Sequence, residues 1–437
     1  MDSYSRNTKP FQRTAKDTFI PEDLRLRLHK KSEAVLRSFP NSQLPDIEYF
    51  HTLTPLEAFN QRPTTPNAPA STVFKAMSSQ DGKLYCLRRS HDQRMLRESD
   101  AAFAVTSLKT KWSRMSNSNV VTAHLAFTTQ VFGDSSVIVV SDFFPDSITL
   151  RDKHSPSNIR HSNRGFNHQI LEQLLWSYVV QIANALKAIH NMGLAARLMD
   201  AKRWLLTDDD RIRFNACGLA DILDPSSAPL LEFQRTDLHH LGKLIFTLGT
   251  ANAHNKVRPA DHFARIYSTR LKTTVEWLQS QTISPESTGT IDDLLHIIAT
   301  NSIDAFDASL RLDDTLMYNL NRELENSRLV RLLFKLNAIN ERPEYENDLQ
   351  WRDQGQRNVL KLFRDYVFHQ VDAHGNPVVD MGHMLMCLNK LDAGVEERVT
   401  LVGRGAQEQA ACVVSFRELK TAVEGACVEL MRRSGGV

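Results

Sequence analysis

Residues 301–340 carry apolar side chains at alternating steps of three and four residues, with mostly polar residues between them. This spacing predicts a helix with one apolar seam, as in a coiled coil. Forty helical residues span about 60 Å, and a helix of that length with one seam needs a partner. That partner is a second chain or, since three heptads leave the alternative open, the helix's own domain. The seam positions are Ile303, Phe306, Leu310, Asp313, Met317, Leu320 and Leu324.

The composition of the 437 residues is that of a globular protein with two or three folded units, at roughly 150 residues per domain. Hydrophobic residues make up 41% and charged residues 24%, which excludes disorder as the dominant state. The net charge of +2 gives no reason to infer a nucleic-acid partner. The sequence contains no run of about 18 apolar residues, so we expect no transmembrane helix, and the polar residues 1–16 predict no secretory signal.

The five cysteines are odd in number and widely separated. Neither a C-x-x-C motif nor a Cys/His cluster occurs, so we expect neither a disulfide framework nor a metal site. Free thiols in a reducing compartment, the cytoplasm or the nucleus, are the prediction.

Strand patterns precede helix patterns along the chain, which predicts an α+β fold. We expect a short helix over residues 21–37, a hairpin whose turn is Asp81-Gly82, a helix over 97–115 and two strands over 120–127 and 136–141. A long buried helix over 170–191, two short strands over 204–206 and 212–214, and a second buried helix over 238–248 follow. That order is typical of a bilobal protein-kinase-like domain. The predicted division is an N-terminal extension at 1–33, the kinase-like domain at 34–300, the coiled coil at 301–340 and a small compact domain at 341–437.

Phosphoryl transfer by such a fold needs a glycine-rich loop, a lysine, a base and magnesium ligands. The stretch equivalent to the glycine loop, residues 65–73, contains no glycine. The lysine of the third strand falls on Arg88, and the glutamate that should pair with it falls near Ser107 or Leu108. The nucleotide-binding groups of an active kinase are therefore altered or missing.

The catalytic loop and the metal-binding motif also lack the side chains that catalysis and metal binding require. The loop aligns with residues 196–203, so that the base becomes Leu198 and the metal-binding asparagine becomes Arg203, while Ala216 replaces the metal-binding aspartate. Residues 236–242 retain the pattern of the scaffold helix that supports a kinase core, with Asp237 in it. The sequence keeps what folding needs and loses what catalysis needs, so we predict a pseudokinase with no catalytic residue and no metal site.

A nucleotide site remains possible in the cleft. The apolar strand that ends at Asp142-Phe143-Phe144-Pro145 leads into a hinge whose backbone groups can read an adenine edge, and Arg88 and Lys202 supply positive charge for phosphates without a metal. We expect ATP as a magnesium-independent ligand. The alternative is a remnant cleft that is empty or filled.

Three C-terminal stretches complete a recognisable pattern: LNRELENSRLVRLL at 320–333, NERPE at 340–344 and PVVDMGHMLMCLNKLDAG at 377–394. With the kinase-like region, they resemble the pseudokinase regulatory subunit of the poly(A)-nuclease deadenylation complex, over roughly residues 20–435. The resemblance implies that the coiled coil forms an asymmetric homodimer, and that coil and C-terminal knob recruit one copy of the catalytic nuclease subunit. It further implies shortening of mRNA poly(A) tails in the cytoplasm, ATP binding without phosphoryl transfer, and poly(A) RNA as a further partner. The family's N-terminal zinc finger and its motif for poly(A)-binding protein do not occur in these 437 residues.

The nucleotide-binding positions follow from the same resemblance. They are Arg88, Asp142, Phe143, Phe144, Pro145, Asp146, Ser147, Ile148, Thr149, Ala201 and Lys202. Two other functions stay open at this point: an atypical active protein kinase, and a nucleotide-independent coiled-coil scaffold.

Overall fold

The structure is a computed structural model, and it forms two compact units, a larger one of Leu28–Ser309 and a smaller one of Leu310–Val437 with the residues up to Arg27. It describes residues 20–433 except 39–43, 57–70, 91–105, 107, 109, 135, 156–168, 209, 224–228, 252–257, 283–288, 342–355 and 404–410. A first helix, α1 (Glu22–Leu36), lies within one residue of its predicted bounds.

A five-stranded antiparallel sheet forms the first part of the larger unit, in the order β1-β2-β3-β5-β4. The predicted hairpin is present, and Gly82 in its turn has a φ of +70°, a conformation that glycine adopts without strain. The strands are β1 (Phe50–Pro55), β2 (Ser71–Ser78), β3 (Leu84–Ser90), β4 (Ala123–Thr129) and β5 (Ser136–Asp142).

The two faces of this sheet have different roles because side chains alternate along each strand. One face buries an apolar cluster of its own around Phe50, Phe74 and Leu87. The opposite face carries Val73 and Arg88, which are cross-strand partners, and it turns toward the rest of the unit.

Helices and one small sheet form the second part of the larger unit. The small antiparallel sheet has the order β6-β7-β8, and the predicted long helix ends before Gly193, whose φ is +67°. The strands are β6 (Ile148–Thr149), β7 (Trp204–Asp208) and β8 (Arg211–Phe214). The helices are α2 (Leu150–Lys153), α3 (Glu172–Asn191), α4 (Leu219–Leu223), α5 (Leu230–Thr250), α6 (Pro259–Ile266) and α7 (Thr269–Ser280).

The stripe of α3 is buried as its spacing predicts, with Tyr178, Ile182, Leu186 and Ile189 all fully covered. The helix predicted over 97–115 lies mostly outside the described residues. Its end is described as a 3₁₀ turn, Trp112–Arg114, with Trp112 in the core.

The predicted long helix is α8 (Ile291–Asn340), a single helix of 50 residues. The apolar seam residues from Ile303 to Leu324 are each 50–69% exposed, because none of the described elements covers them. Further along, Leu329, Leu332, Leu336 and Ile339 are buried in the core of the smaller unit. The helix prediction is confirmed, while pairing with a second chain stays a prediction.

The smaller unit surrounds the end of α8 with three helices and a two-stranded antiparallel sheet. Its core joins Leu336 to Phe363, Leu391 and Phe416. The elements are α9 (Gln356–Phe368), α10 (Met381–Ala393), β9 (Arg398–Val402), β10 (Ala411–Ser415) and α11 (Phe416–Arg433). Among the described helices, none is long and apolar enough to cross a membrane.

Candidate nucleotide cleft

The loop that carries catalysis in kinases is held here by Asp237 of α5. Its carboxylate is fully buried and accepts hydrogen bonds from the backbone N–H groups of Ala196 and Arg197, both at 2.7 Å. The His190 ring lies 3.1 Å from the same carboxylate. Arg197 has a φ of +59°, which is unusual for a residue with a side chain, and these bonds hold it there. The scaffold predicted from residues 236–242 is therefore present.

The positions that should perform chemistry are occupied by side chains that cannot. Leu198, at the base position, packs against the apolar core, and Ala216, at the metal-ligand position, is 2% exposed. Asp200 is the loop's own carboxylate, and it caps the 3₁₀ turn Ala201–Arg203 by accepting from the Lys202 N–H at 2.8 Å. No group of three or more His, Cys, Asp or Glu side chains with metal-binding geometry occurs among the residues that the structure describes.

The space of the missing ion pair is filled by apolar contact. Leu108, one of two predicted positions for the glutamate, is fully buried and packs beside Trp112 and Gly218. A Cβ at position 218 would lie 2.8 Å from the Leu108 Cδ1 atom, so only glycine fits there. Ser107 and most of the glycine-free stretch 65–73 lie outside the described residues.

A pocket remains between the sheet face that carries Arg88 and the segment that replaces the metal-binding motif. The space in it that water-sized molecules can occupy is about 10 Å³, room for about one water. The Arg88 guanidinium is 9% exposed and donates to the Ser71 hydroxyl at 3.2 Å. The pocket is lined by Arg88, Val121, Ala123, Val139, Ser141, Asn215, Cys217 and Leu219.

Of the eight lining residues only Arg88 was predicted from the sequence, and Asn215 and Cys217 are two of the seven that were not. The Oδ1 atom of Asn215 is buried and has no hydrogen-bond partner, so it offers an acceptor to a ligand. Cys217 donates from its Sγ to the Val121 carbonyl at 3.2 Å, and burial raises the pKa of its thiol well above the ordinary value, so it stays protonated. Nothing in a lone asparagine or cysteine signals such a position.

The predicted hinge residues run from the last residue of β5, Asp142, through a turn to β6, Ile148–Thr149. Asp142 pairs with the His124 ring at 2.7 Å, and this hydrogen bond lowers the pKa of its carboxyl. The Ser147 hydroxyl donates to the Phe144 carbonyl at 2.9 Å, and Asp146 takes a left-handed φ of +56°. The guanidinium of Arg213 stacks on the Phe144 ring, 4.5 Å from the ring centroid.

The end of the hinge meets the remaining predicted residues through the small sheet. Ile148 and Thr149 pair with Leu206 and Leu205 of β7, the strand that directly follows Ala201–Arg203. Arg88 is the one predicted nucleotide-binding residue that lines the pocket. The predicted residues from Asp142 to Thr149 and Ala201-Lys202 do not line it.

Lys75 is a further cation at this site that sequence reasoning missed. It stands in an apolar strand, is 5% exposed, and its ammonium lies 6.0 Å from the centroid of the Phe143 ring. Lys75 follows Val73 by two residues on β2, so both side chains lie on the same face of the sheet, and Val73 is the cross-strand partner of Arg88. This alternation was the one feature of the sequence that could have placed Lys75 near Arg88.

A kinase fold whose scaffold aspartate is in place and whose base and metal ligands are replaced defines the class: this chain is a pseudokinase. Solved structures agree. The chain has a TM-score of 0.84 and 39% identity to PAN3 in a complex of Neurospora crassa PAN2 (WD40-CS1) with PAN3 (pseudokinase and C-term), covering 94% of this chain and 100% of that one. The Drosophila melanogaster PAN3 pseudokinase gives a TM-score of 0.75 and 36% identity, over 89% of this chain and 99% of that one.

Sequence comparison extends the match over almost the whole chain. Residues 291–430 match the Pan3 C-terminal knob domain. The "PAN2-PAN3 deadenylation complex subunit PAN3" of Coccidioides immitis is 48% identical over 435 residues, and that of Aspergillus niger is 47% identical over 436. These matches cover 98% and 99% of this chain but 65% and 64% of the relatives' own length. The chain belongs to the PAN3 family.

Proposed function

We propose that this chain is a regulatory adaptor subunit of a cytoplasmic poly(A)-specific deadenylase. In this role it pairs with a second copy through α8, recruits the catalytic nuclease subunit and promotes shortening of mRNA poly(A) tails. The observation that carries the proposal is the 46–48% identity to PAN3 subunits, which extends through both compact units. The partner corresponds to PAN2, with which the Neurospora crassa PAN3 relative was solved as a complex.

The exposed seam of α8 supports pairing with a second copy. Six apolar side chains that are half or more exposed on one helix are unfavourable in water, and a matching seam on another copy would cover them. The following turns are already occupied in the core of the smaller unit, so the seam before residue 325 is the part available to a second chain.

Recruitment is tested by co-purification. The full chain and the nuclease subunit of the same complex are co-expressed, and the tag is placed on the nuclease. We expect stoichiometric co-purification and faster shortening of a poly(A) tail than with the nuclease alone. A nuclease that purifies without the chain, and whose rate the chain leaves unchanged, would overturn the assignment.

ATP binding without phosphoryl transfer is the second part of the proposal. Arg88 provides a buried positive charge for a phosphate, and the orphaned Oδ1 of Asn215 provides an acceptor within the same pocket. The positions that would hold magnesium are Arg203 and Ala216, so binding is expected to persist in a chelator. The pocket has about 10 Å³ of space for water-sized molecules, far below the usual ~300–1,000 Å³ of ligand sites, so the cleft has to open for a nucleotide.

Calorimetric titration with ATP in EDTA tests this part. Arg88→Gln should weaken the affinity by about ten- to a hundredfold, since a charge-assisted contact is worth roughly 1.5–3 kcal/mol. Arg265→Gln, an exposed change on α6, is the matched control and should bind like the parent chain. A flat titration of the parent chain would instead favour the second candidate function, a nucleotide-independent scaffold, which the small pocket also supports.

A further inference from the structure

Lys75 lies on the sheet face that lines the candidate cleft. It is the cross-strand partner of Cys86 on β3, which in turn pairs with Ser141 on β5, and Ser141 pairs with Ala123 on β4. Residues opposite one another on adjacent strands share a face. Since Ser141 and Ala123 line the pocket, Lys75 lies on the same face of the sheet as these two residues, on β2, the strand next to the one that carries Arg88.

The ammonium of Lys75 binds the end of helix α1. It donates to the carbonyl oxygens of Val35 at 2.8 Å and Ala34 at 3.2 Å, and also to that of Arg37. The last carbonyls of a helix have no partner inside the helix and carry the negative end of its dipole, so a lysine is a suitable cap. Burial under this helix end lowers the pKa of Lys75, and the nearby charge of Arg37 lowers it further.

A second contact attaches α1 to the opposite side of the hinge. Lys31 forms an ion pair with Asp208 at the end of β7, the strand that pairs with the last hinge residues. Lys31 and Val35 are one helical turn apart, about 6 Å along the axis. The helix end therefore connects β2 with β7, and it contacts a lysine that lies beside the hinge residue Phe143 on the sheet face that lines the cleft.

These attachments are polar and few. α1 contains no buried residue, and Leu28 and Leu36 are 50% and 76% exposed. The partly exposed ion pair of Lys31 with Asp208 contributes little, so the helix end is held chiefly by the hydrogen bonds of Lys75.

We propose that the end of α1 is an intramolecular plug of the cleft, and that ATP and the docked helix exclude each other. This regulation rests on the proposed function, since it presupposes that the cleft binds ATP. Docked, α1 closes the hinge side and engages Lys75. Detached, it opens the cleft beyond its present 10 Å³ and releases a second cation for the ligand.

The plug makes a quantitative prediction about affinity. When only the open fraction binds, the apparent affinity is reduced by that fraction, and any change that loosens α1 tightens ATP binding. Lys31→Glu turns the ion pair with Asp208 into a repulsion and should tighten binding about two- to fivefold. Lys30→Glu makes the same charge change on the exposed side of the same helix and should leave the affinity unchanged.

Two measurements on the full chain decide the matter. The first is calorimetric titration of ATP into the parent chain and both variants. The second is amide hydrogen exchange of residues 22–36, which should become faster when ATP is added because the helix is displaced.

The outcomes separate the proposals. Equal ATP affinity of the parent and Lys31→Glu overturns the plug and leaves ATP binding intact. Slower exchange in α1 with ATP also overturns it, since the helix would then close over the ligand. If neither chain binds ATP, the proposed nucleotide site falls and the plug falls with it.

Discussion

Removing the Asp237 carboxylate should destabilise the kinase-like unit strongly. In Asp237→Ala the backbone N–H groups of Ala196 and Arg197 lose their acceptor in a buried place, and His190 loses a partner. A buried donor left without an acceptor costs roughly 1–3 kcal/mol, so two of them together with the lost histidine contact should reduce the free energy of unfolding by about 3–5 kcal/mol.

Urea denaturation, monitored by tryptophan fluorescence, measures this loss of stability in the unit that contains Asp237. Four of the five tryptophans, Trp112, Trp176, Trp204 and Trp277, belong to residues 28–309, so the signal reports mainly on that unit even if the two units unfold separately. The midpoint of Asp237→Ala should fall well below that of the parent chain, and the thermal midpoint should drop by roughly 10 °C.

Two further variants make the test specific. Asp237→Asn keeps one acceptor oxygen but points an NH₂ group at the other N–H, so its loss should lie between those of the parent and the alanine variant. Glu232→Ala, an exposed change near the start of the same helix, is the control and should shift stability by less than about 0.5 kcal/mol. A shift for Asp237→Ala no larger than that of Glu232→Ala would refute the reasoning.

Three other predictions concern the seam, the hinge and a buried thiol. Phe306→Glu places a charge in the exposed seam of α8 and should convert a dimer to a monomer in light scattering without lowering the thermal midpoint of either unit; Arg311→Glu, outside the seam, is the control. The His124 hydrogen bond lowers the pKa of Asp142 below 3.8, so this carboxylate stabilises the fold above that pH, and the stabilisation is lost as the pH falls through the lower pKa of the folded state. The difference in thermal midpoint between the parent and Asp142→Asn should therefore be largest at neutral pH and disappear in acid. A difference that does not change with pH would contradict the pairing. Burial raises the pKa of Cys387 to about 11, so at pH 8 roughly one thiol in a thousand is ionised and alkylation of the folded chain should be slower there than at the half-buried Cys427, as mass spectrometry of the labelled peptides can check.

Much of the fold could be predicted because it is encoded locally. The stripe of α3, the Asp81-Gly82 turn and the seam of α8 each follow from residues within one element. The first two appear close to their predicted bounds, while α8 begins ten residues before the predicted start at 301. Asp237 was also visible, since a scaffold helix carries a short recognisable pattern.

The remainder of the site depends on residues that are distant in sequence. Lys75 meets Val35, 40 residues away, and a lysine within a strand carries no mark of such a partner. The close packing of Leu108 and Trp112 on Gly218 likewise joins residues that are far apart in the chain. Patterns identified which groups were missing from the cleft, but only the packing shows what fills their place.

The packing of Leu108 also bears on whether the lost chemistry can return. Replacing Leu108 by glutamate would place a carboxylate among Trp112 and the backbone of Gly218, where burying a charge costs several kcal/mol unless Arg88 moves to meet it. Restoring an acid at position 198 or 216 alone yields no turnover, because the base and the metal ligands act only together. Each single substitution toward an active kinase therefore either destabilises the fold or restores no phosphoryl transfer. A return to activity would need several substitutions at once.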